Sequence, residues 1–314
     1  MKIVLVGEPM GLFMANETGA LSEVKTFTSS LAGAEYNVAV GLARLGHQPA
    51  YCTRLGADPF GEKILAGLES NGISRDLVQV APGEITGFML KGFTRQGDPA
   101  IAYYRRGSAA SRITPEDVDR LDLAGCEWLH VTGIFPAISA TALAATRRLM
   151  ARAREQGMTV SFDPNLRPQL WESEAVMVQT LNDLARSADL VLPGIGEGQL
   201  LTGAETPQGI AEYYHRLGAR QVIVKTGGEG AYWSEKDGPS GRCPGFPVRE
   251  ILDTVGAGDG FAAGVISALA EGLSLEQAAF RGNVIGAIQI SNKSDNEGLP
   301  TRQELDRVIK EGTA

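Results

Sequence analysis

The stretch Asp253-Thr-Val-Gly-Ala-Gly-Asp259 puts small, bare backbone positions immediately before an acid. Phe261 to Gly272 then follows an apolar helical pattern closed by a glycine. The first N–H groups of a helix have no partner inside it, and with the helix dipole they form a site for phosphate or a developing anion. Gly256, Ala257 and Gly258 leave those groups open to a ligand. Asp259 stands beside them, where the N–H groups and the dipole are expected to keep its carboxylate ionised and ready to accept a hydroxyl proton. An anion hole with a base suits phosphoryl transfer to an alcohol, in which positioning and charge stabilisation do most of the catalysis. A Gly-rich helix start with a first-turn acid would use the same residues, and for Gly-Ala-Gly alone that is the better reading. The stretch is neither the G-x-x-x-x-G-K-[ST] loop nor a kinase Gly-rich loop.

Other residues could serve the same site. Tyr103 and Arg105 share one face if Ala100 to Tyr104 is a strand. A phenol and a guanidinium suit a carboxylate or a hydroxyl-rich chain, although on these residues alone an edge strand with surface side chains is favoured. Asp163-Pro-Asn-Leu-Arg-Pro168 ends an apolar run, and open α/β sheets bind ligands at such strand ends. A Pro-bounded turn explains its prolines but not Arg167. Val224-Lys-Thr-Gly-Gly-Glu-Gly230 has bare backbone suited to nucleotide phosphates or ribose, and is equally a common turn between strands. On its own Glu197 reads as a surface helix acid.

These residues need elements to hold them. Ile3 to Val6 is a short apolar run closed by Gly7, expected as a buried parallel strand. Residues 8–30 read as irregular strand and loop. Val38 to Leu45 is helical and stopped by Gly46, Ala50 to Arg54 is a strand, and a helix ends near Asn71-Gly72. The pattern changes over Ile85 to Arg105, where two strands flank Gln96-Gly-Asp-Pro99, a hairpin inside an otherwise β-α-β series. Thr114-Pro-Glu-Asp is an N-cap with proline at the first helical position. Regular alternation follows: strands at 128–132, 159–163, 190–192, 221–225 and 231–234, with helices at 139–156, 173–187, before Gly203 and at 207–217. The last third is helical, at 260–271, 274–290 and 301–311. Such alternation predicts a mainly parallel sheet with helices on both faces. No internal repeat, low-complexity tract or linker interrupts it.

Bulk properties narrow the function. The chain has 314 residues, 43% of them hydrophobic, and a net charge of −8. With a pI near 5.1, a nucleic-acid-binding surface is not expected, and any anionic ligand must be met by local Arg or Lys. Cys52, Cys126 and Cys243 are scattered without a C-x-x-C pair and are expected as free packing thiols in a reducing cytosol. His47, His130 and His215 lack metal-site spacing. The N-terminus does not read as a signal peptide and no apolar run has the length of a membrane span, so a cytoplasmic protein is expected.

The string D-T-x-G-A-G-D-x-x-x-A-G resembles, position for position, the second signature of the ribokinase-like (PfkB) carbohydrate kinases. Ala32-Gly-Ala-Glu-Tyr-Asn-Val-Ala39 resembles their first signature, usually G-G-x-P-x-N-x-A. Here Glu35 replaces the proline, as in the 2-keto-3-deoxygluconate kinase branch. On that motif alone, an ordinary helix start is as good a reading. Tyr-Tyr-Arg-x-Gly-Ser-Ala from Tyr103 to Ala109 is similar to the same branch, and D-x-N-x-R at Asp163 to Arg167 also recurs in the family. The resemblance runs from Gly33 to Pro300.

It implies an α/β fold: a three-layer α/β/α domain over residues 1–314 with a mainly parallel sheet and a small β lid, formed by segments near 8–30 and 84–108. The implied reaction is transfer of a phosphoryl group from ATP to the terminal hydroxyl of 2-keto-3-deoxygluconate, giving the 6-phosphate. Asp259 would be the base, and the backbone of Gly256, Ala257 and Gly258 would steady the γ-phosphoryl. Gly33 and Ala34 would let the sugar approach the backbone, with Asn37 bonding a hydroxyl. Tyr103, Arg105 and Arg167 would hold the carboxylate, with Met89, Asp253 and Asp295 also at the substrate. The nucleotide would meet Asn165, Lys225, Thr226, Gly227, Gly228 and Gly230, with Asn283 near the adenine and Gly256 and Gly258 at the phosphates. Mg²⁺ would be held by Glu197 through water, and a monovalent cation such as K⁺ could be required. A homo-oligomer through the lid is the implied assembly, with no nucleic-acid or membrane partner. Two positions depart from the family: Met89 stands where a tyrosine is usual, and Gly194 where an asparagine is. Fructokinase activity, another sugar, sugar-acid or nucleoside kinase, and a non-catalytic sugar-binding regulator on the same fold stay open. An NAD enzyme is disfavoured, because the first β-α turn lacks G-x-G-x-x-G.

Overall fold

The computed structural model describes residues 1–94, 99–292 and 295–314. The first apolar run becomes β1 (Lys2–Val6), buried in a nine-stranded sheet, third from one edge. Two lid strands follow, β2 (Met10–Thr18) and β3 (Phe27–Ala32), then helix α1 (Ala34–Arg44), β4 (Gln48–Gly56), α2 (Pro59–Ser70) and β5 (Val78–Ala81). The second lid pair is β6 (Phe88–Phe93) and β7 (Ile101–Tyr104). The chain then alternates through α3 (Pro115–Asp119), β8 (Trp128–Thr132), α4 (Ala140–Glu155), β9 (Thr159–Asp163), α5 (Glu174–Ala185), β10 (Leu190–Val191), α6 (Ile195–Thr202), α7 (Pro207–Leu217) and β11 (Gln221–Lys225). An antiparallel pair, β12 (Ala231–Glu235) and β13 (Ser240–Cys243), precedes the final helices α8 (Ala257–Ala270), α9 (Leu275–Ile290) and α10 (Arg302–Glu311).

The large sheet runs β13-β12-β11-β10-β9-β8-β1-β4-β5, and every pairing from β11 to β5 is parallel. One apolar core, with Val38, Leu42, Ile64, Val265 and Ile285, joins α1, α2, α8, α9 and α10 to one face. A second, with Leu149, Met177, Leu181 and Tyr214, joins α3, α4, α5 and α7 to the other. This is the expected three-layer arrangement. Strand β1 lies between β8 and β4, so the strand order reverses beside it. A cleft opens at the carboxyl ends of the strands there, where such sheets take ligands.

The lid sheet has the order β3-β2-β6-β7. Residues 8–30, expected as irregular strand and loop, contain most of two regular strands. Mixed polar and apolar residues obscured them because one face meets the cleft while the other carries an aromatic cluster. Phe13, Phe60 and Phe88 meet there, and Tyr104 stacks on Phe88 with ring centroids 4.7 Å apart. The 85–105 hairpin forms as expected, Met89 opposite Tyr103. The turn expected at Gln96-Gly-Asp-Pro99 falls, up to residue 98, outside the described residues. At the base of the lid, Asp58 caps α2 through Gly61 N–H at 2.8 Å and also accepts from Thr86 N–H at 2.7 Å. The three cysteines are buried and free, as packing thiols should be. Among the described residues no helix is long and apolar enough to cross a membrane.

Candidate active site

The carboxyl ends of β1, β8, β9 and β11, the start of α8 and the inner face of the lid enclose a cavity of about 490 Å³. Asp259 lines it. Helix α8 begins at Ala257, after Gly256 at φ 78°, a left-handed conformation that glycine adopts without strain. A Cβ on Gly256 would lie 2.3 Å from the Asp295 carbonyl oxygen, so close backbone approach also requires glycine there.

Asp259 is not held ionised by the helix start, contrary to expectation. Burial outweighs every favourable contact and pushes its carboxyl up to about 7, aided by the negative charges of Asp163 and Glu35. Two groups oppose the shift: Asn37 Nδ2 donates to Asp259 Oδ2 at 2.8 Å, and Arg167 lies close enough to act through its charge. Asn37 Oδ1 in turn accepts from Asn296 Nδ2 at 2.8 Å. That contact fixes the amide orientation that presents a donor to Asp259. Asn37 is thus a support for the acid, and it also lines the cavity.

Next to Asp259, Lys225 Nζ donates to Asp163 Oδ2 at 2.6 Å. Burial pushes Asp163 up to about 6, although the Lys225 charge opposes it. A Cβ on Gly258 would lie 3.7 Å from Lys225 Nζ, so the ammonium borders the bare backbone of the helix start. Asn165 adopts φ 38° at the end of β9, a conformation Asn tolerates better than most residues, and it faces the cavity with Arg167. Glu197 lines the same wall, its two oxygens accepting from Leu166 N–H at 2.8 Å and Gly194 N–H at 2.7 Å. The Gly194 contact is backbone only, so the missing asparagine side chain does not release Glu197.

The opposite wall carries Gly33, Ala34, Met89, Tyr103 and Arg105. The expected shared face of Tyr103 and Arg105 is observed, the guanidinium carbon 5.9 Å from the ring centroid. Arg105 is not a free cation, however. Its Nε donates to Glu8 Oε2 at 2.6 Å and a terminal nitrogen lies 2.5 Å from the same oxygen. Ser108 Oγ donates to the other Glu8 oxygen. Sequence reading missed Glu8, although it follows β1 at the strand-end position that drew attention to Asp163. It also missed Lys91, which bridges Asp253 and Asp295. The only local signal was a lysine two residues from Met89 on the inward strand face.

The proposed nucleotide residues are only partly brought together. Lys225 and Asn165 face the cavity, but Thr226, Gly227, Gly228 and Gly230 do not line it. Of their glycines Gly230 is packed against backbone, a Cβ there lying 2.1 Å from Cys243 O, whereas the Cβ positions of Gly227 and Gly228 meet open space. Asn283 is buried, and its amide donates to Pro244 O at 2.9 Å and Cys243 O at 3.3 Å, so it braces that segment. Asp253 faces an adjoining cavity with Ile251 and Leu252, whereas Asp295 lines the main one. A larger cleft of about 620 Å³ lies at the opposite, amino ends of the strands, around Arg154, Asp189 and Arg220, far from these groups.

The pfkB family carbohydrate kinase profile matches residues 1–302. The chain belongs to the pfkB family of carbohydrate kinases. Within this family it is 49% identical over 304 residues to a 2-dehydro-3-deoxygluconokinase of Bacillus subtilis, covering 96% of this chain and 93% of that one. A 2-dehydro-3-deoxygluconokinase of Thermoproteus tenax is 30% identical over 318 residues, covering 98% and 94%. The crystal structure of a PfkB protein from Polaromonas sp. superposes with a TM-score of 0.90 at 47% identity, covering 97% of this chain and 99% of that one.

Proposed function

We propose that this carbohydrate kinase transfers a phosphoryl group from ATP to the terminal hydroxyl of 2-keto-3-deoxygluconate (2-dehydro-3-deoxygluconate). One observation carries the reading: a single cavity holds Asp259 at a helix N-terminus together with Arg167, Tyr103 and Arg105. Asp259, steadied by Asn37, accepts the hydroxyl proton. The open N–H groups at the start of α8 stabilise charge on the transferring group, with Lys225 beside them. Arg167 and the Arg105 donors not engaged by Glu8 receive the carboxylate, which a guanidinium can meet in bidentate fashion. The 2-dehydro-3-deoxygluconokinase of Bacillus subtilis supports this substrate.

Magnesium, when bound, neutralises phosphate charge. The donors fit an ion held mainly through water: Glu197 keeps lone pairs beyond its two backbone contacts and Asp163 is near it, while no group of three or more potential ligands forms a cage among the described residues. A requirement for a monovalent cation such as K⁺, a cytoplasmic location and a homo-oligomer formed through the lid complete the proposal.

The test is ADP release with ATP and Mg²⁺, in K⁺ and in K⁺-free buffer, against keto-deoxy sugar acids, neutral ketoses and nucleosides. Loss of charge-assisted bonds to the carboxylate predicts on the order of 10² or more in kcat/KM favouring the acid. Equal rates with fructose or a nucleoside would overturn the substrate. Absence of ADP release with every sugar would favour a binding regulator.

A further inference from the structure

Lys91 is a buried lysine on lid strand β6, 5% exposed, whose ammonium leaves the lid altogether. It donates to Asp253 Oδ2 at 2.9 Å and to Asp295 Oδ1 at 3.0 Å. These acids lie on two separate loops, one leading into α8 and one following α9. Both loops touch Gly256. Asp253 Oδ1 accepts from Val255 N–H at 3.0 Å, a local turn that sets the backbone entering Gly256. The Asp295 carbonyl lies against the Gly256 α-carbon, where any Cβ would collide with it. The helix start that forms the anion hole is therefore clasped by two loops whose carboxylates share one lid-borne cation.

We propose that Lys91 is a positioning residue that couples the lid to the anion hole: when its ammonium bridges Asp253 and Asp295, the Val255–Asp259 backbone is held in the conformation that receives the phosphoryl group. Two carboxylates so close together repel unless a cation lies between them, and Asp295 is buried. Without Lys91 the loops have reason to separate, the Ala257 N–H contact to Thr254 O at 3.4 Å loosens, and the Gly258 N–H loses its aim. The same strand carries Met89 on the cavity wall, two residues away on the same face. A sugar contacting Met89 and the anion hole would thus be sensed through one rigid strand. Lys91 needs no contact with the reacting atoms for this role, which deepens the kinase reading and depends on it only for the activity measurements.

The test compares Lys91→Met, which keeps the apolar stem, with Lys91→Arg, which keeps the charge. Amide hydrogen exchange at residues 255–259 is measured without any substrate, and kcat and KM are measured for sugar acid and ATP. In Lys91→Met those amides should exchange at least tenfold faster and kcat should fall at least tenfold, with KM for ATP changed less than twofold. Lys91→Arg should return kcat to within about threefold. Unchanged exchange at 255–259, a kcat within twofold of the parent, or an equal kcat loss in Lys91→Arg would each overturn the coupling. If Lys91→Met does not fold, Lys91→Gln takes its place, removing the cation while keeping a hydrogen-bond donor and both carboxylates, and slowed or unchanged exchange at 255–259 in that variant overturns the coupling as well. Because the exchange arm uses no sugar, an error in substrate assignment leaves its result intact.

Discussion

Asp259 shows how far one residue's role depends on its neighbours. At a bare helix start it would be a strong acid; enclosed beside Asp163 and Glu35 it is pushed up to about 7, nearer the strength of a useful base. A base must be unprotonated to act, so kcat/KM should fall about tenfold per pH unit below roughly pH 7, where the carboxyl holds its proton. Asp163, raised to about 6 and coupled to it, makes the measured limb a property of the pair. Asn37 donates to the ionised form, so Asn37→Ala should move the limb upward by about one unit, the scale of a charge-assisted bond. Asp259→Asn should retain fold and ATP binding while losing on the order of 10²–10⁴ in kcat. A pH profile flat from 5 to 8, or near-parental turnover in Asp259→Asn, would contradict the assignment. Arg105 is a poorer probe than its sequence suggests. Arg105→Ala would strand the buried Glu8 carboxylate at a cost of about 3–5 kcal/mol, confounding any change in substrate affinity.

Among the elements, the start of α8 bears the tightest geometric demand. Gly256 combines a left-handed φ of 78° with a backbone carbonyl where a Cβ would sit. Gly256→Ala must shift either the 295 loop or the first turn of the helix. Misdirecting one oxyanion donor costs on the order of 10²–10³ in kcat, and left-handed strain adds about 1–2 kcal/mol. Steady-state kinetics with circular dichroism on Gly256→Ala checks this: folded protein with parental kcat would show that the helix start does not receive the phosphoryl group. Gly272 makes a control, because it has φ 79° with open space around its Cβ position. Gly272→Ala should show the strain without the kinetic loss.

For the whole molecule, the lid is both cover and exposed surface. Tyr104 is 51% exposed on the outer face of the lid, where it stacks on Phe88 beside Phe13 and Phe60. Such a face is unusual for a monomer in water, and pairing lid to lid would cover it. Sedimentation velocity of the parent protein should therefore give the mass of a dimer or larger assembly, and Tyr104→Asp should shift it toward monomer. A parent sedimenting as monomer at micromolar concentration would refute assembly through the lid.

Local chemistry was readable in the sequence wherever one segment supplies it alone. The capped helices at Thr114, Ser139 and Ser173, the parallel strands of apolar run and the Gly-Ala-Gly helix start follow from turn residues and hydrophobic period. So does the shared face of Tyr103 and Arg105, which strand alternation dictates. What the sequence could not supply is the pairing of charges across segments. Arg105 meets Glu8 from 97 residues away, Asn37 meets Asp259 from 222, and Lys91 meets Asp253 and Asp295 from 162 and 204. A charged side chain reads the same whether it is free for a ligand or already neutralised. Only the packing of lid, strand ends and loops around one cavity decides which it is, and burial in that cavity sets the strength of the acid that the sequence had correctly placed.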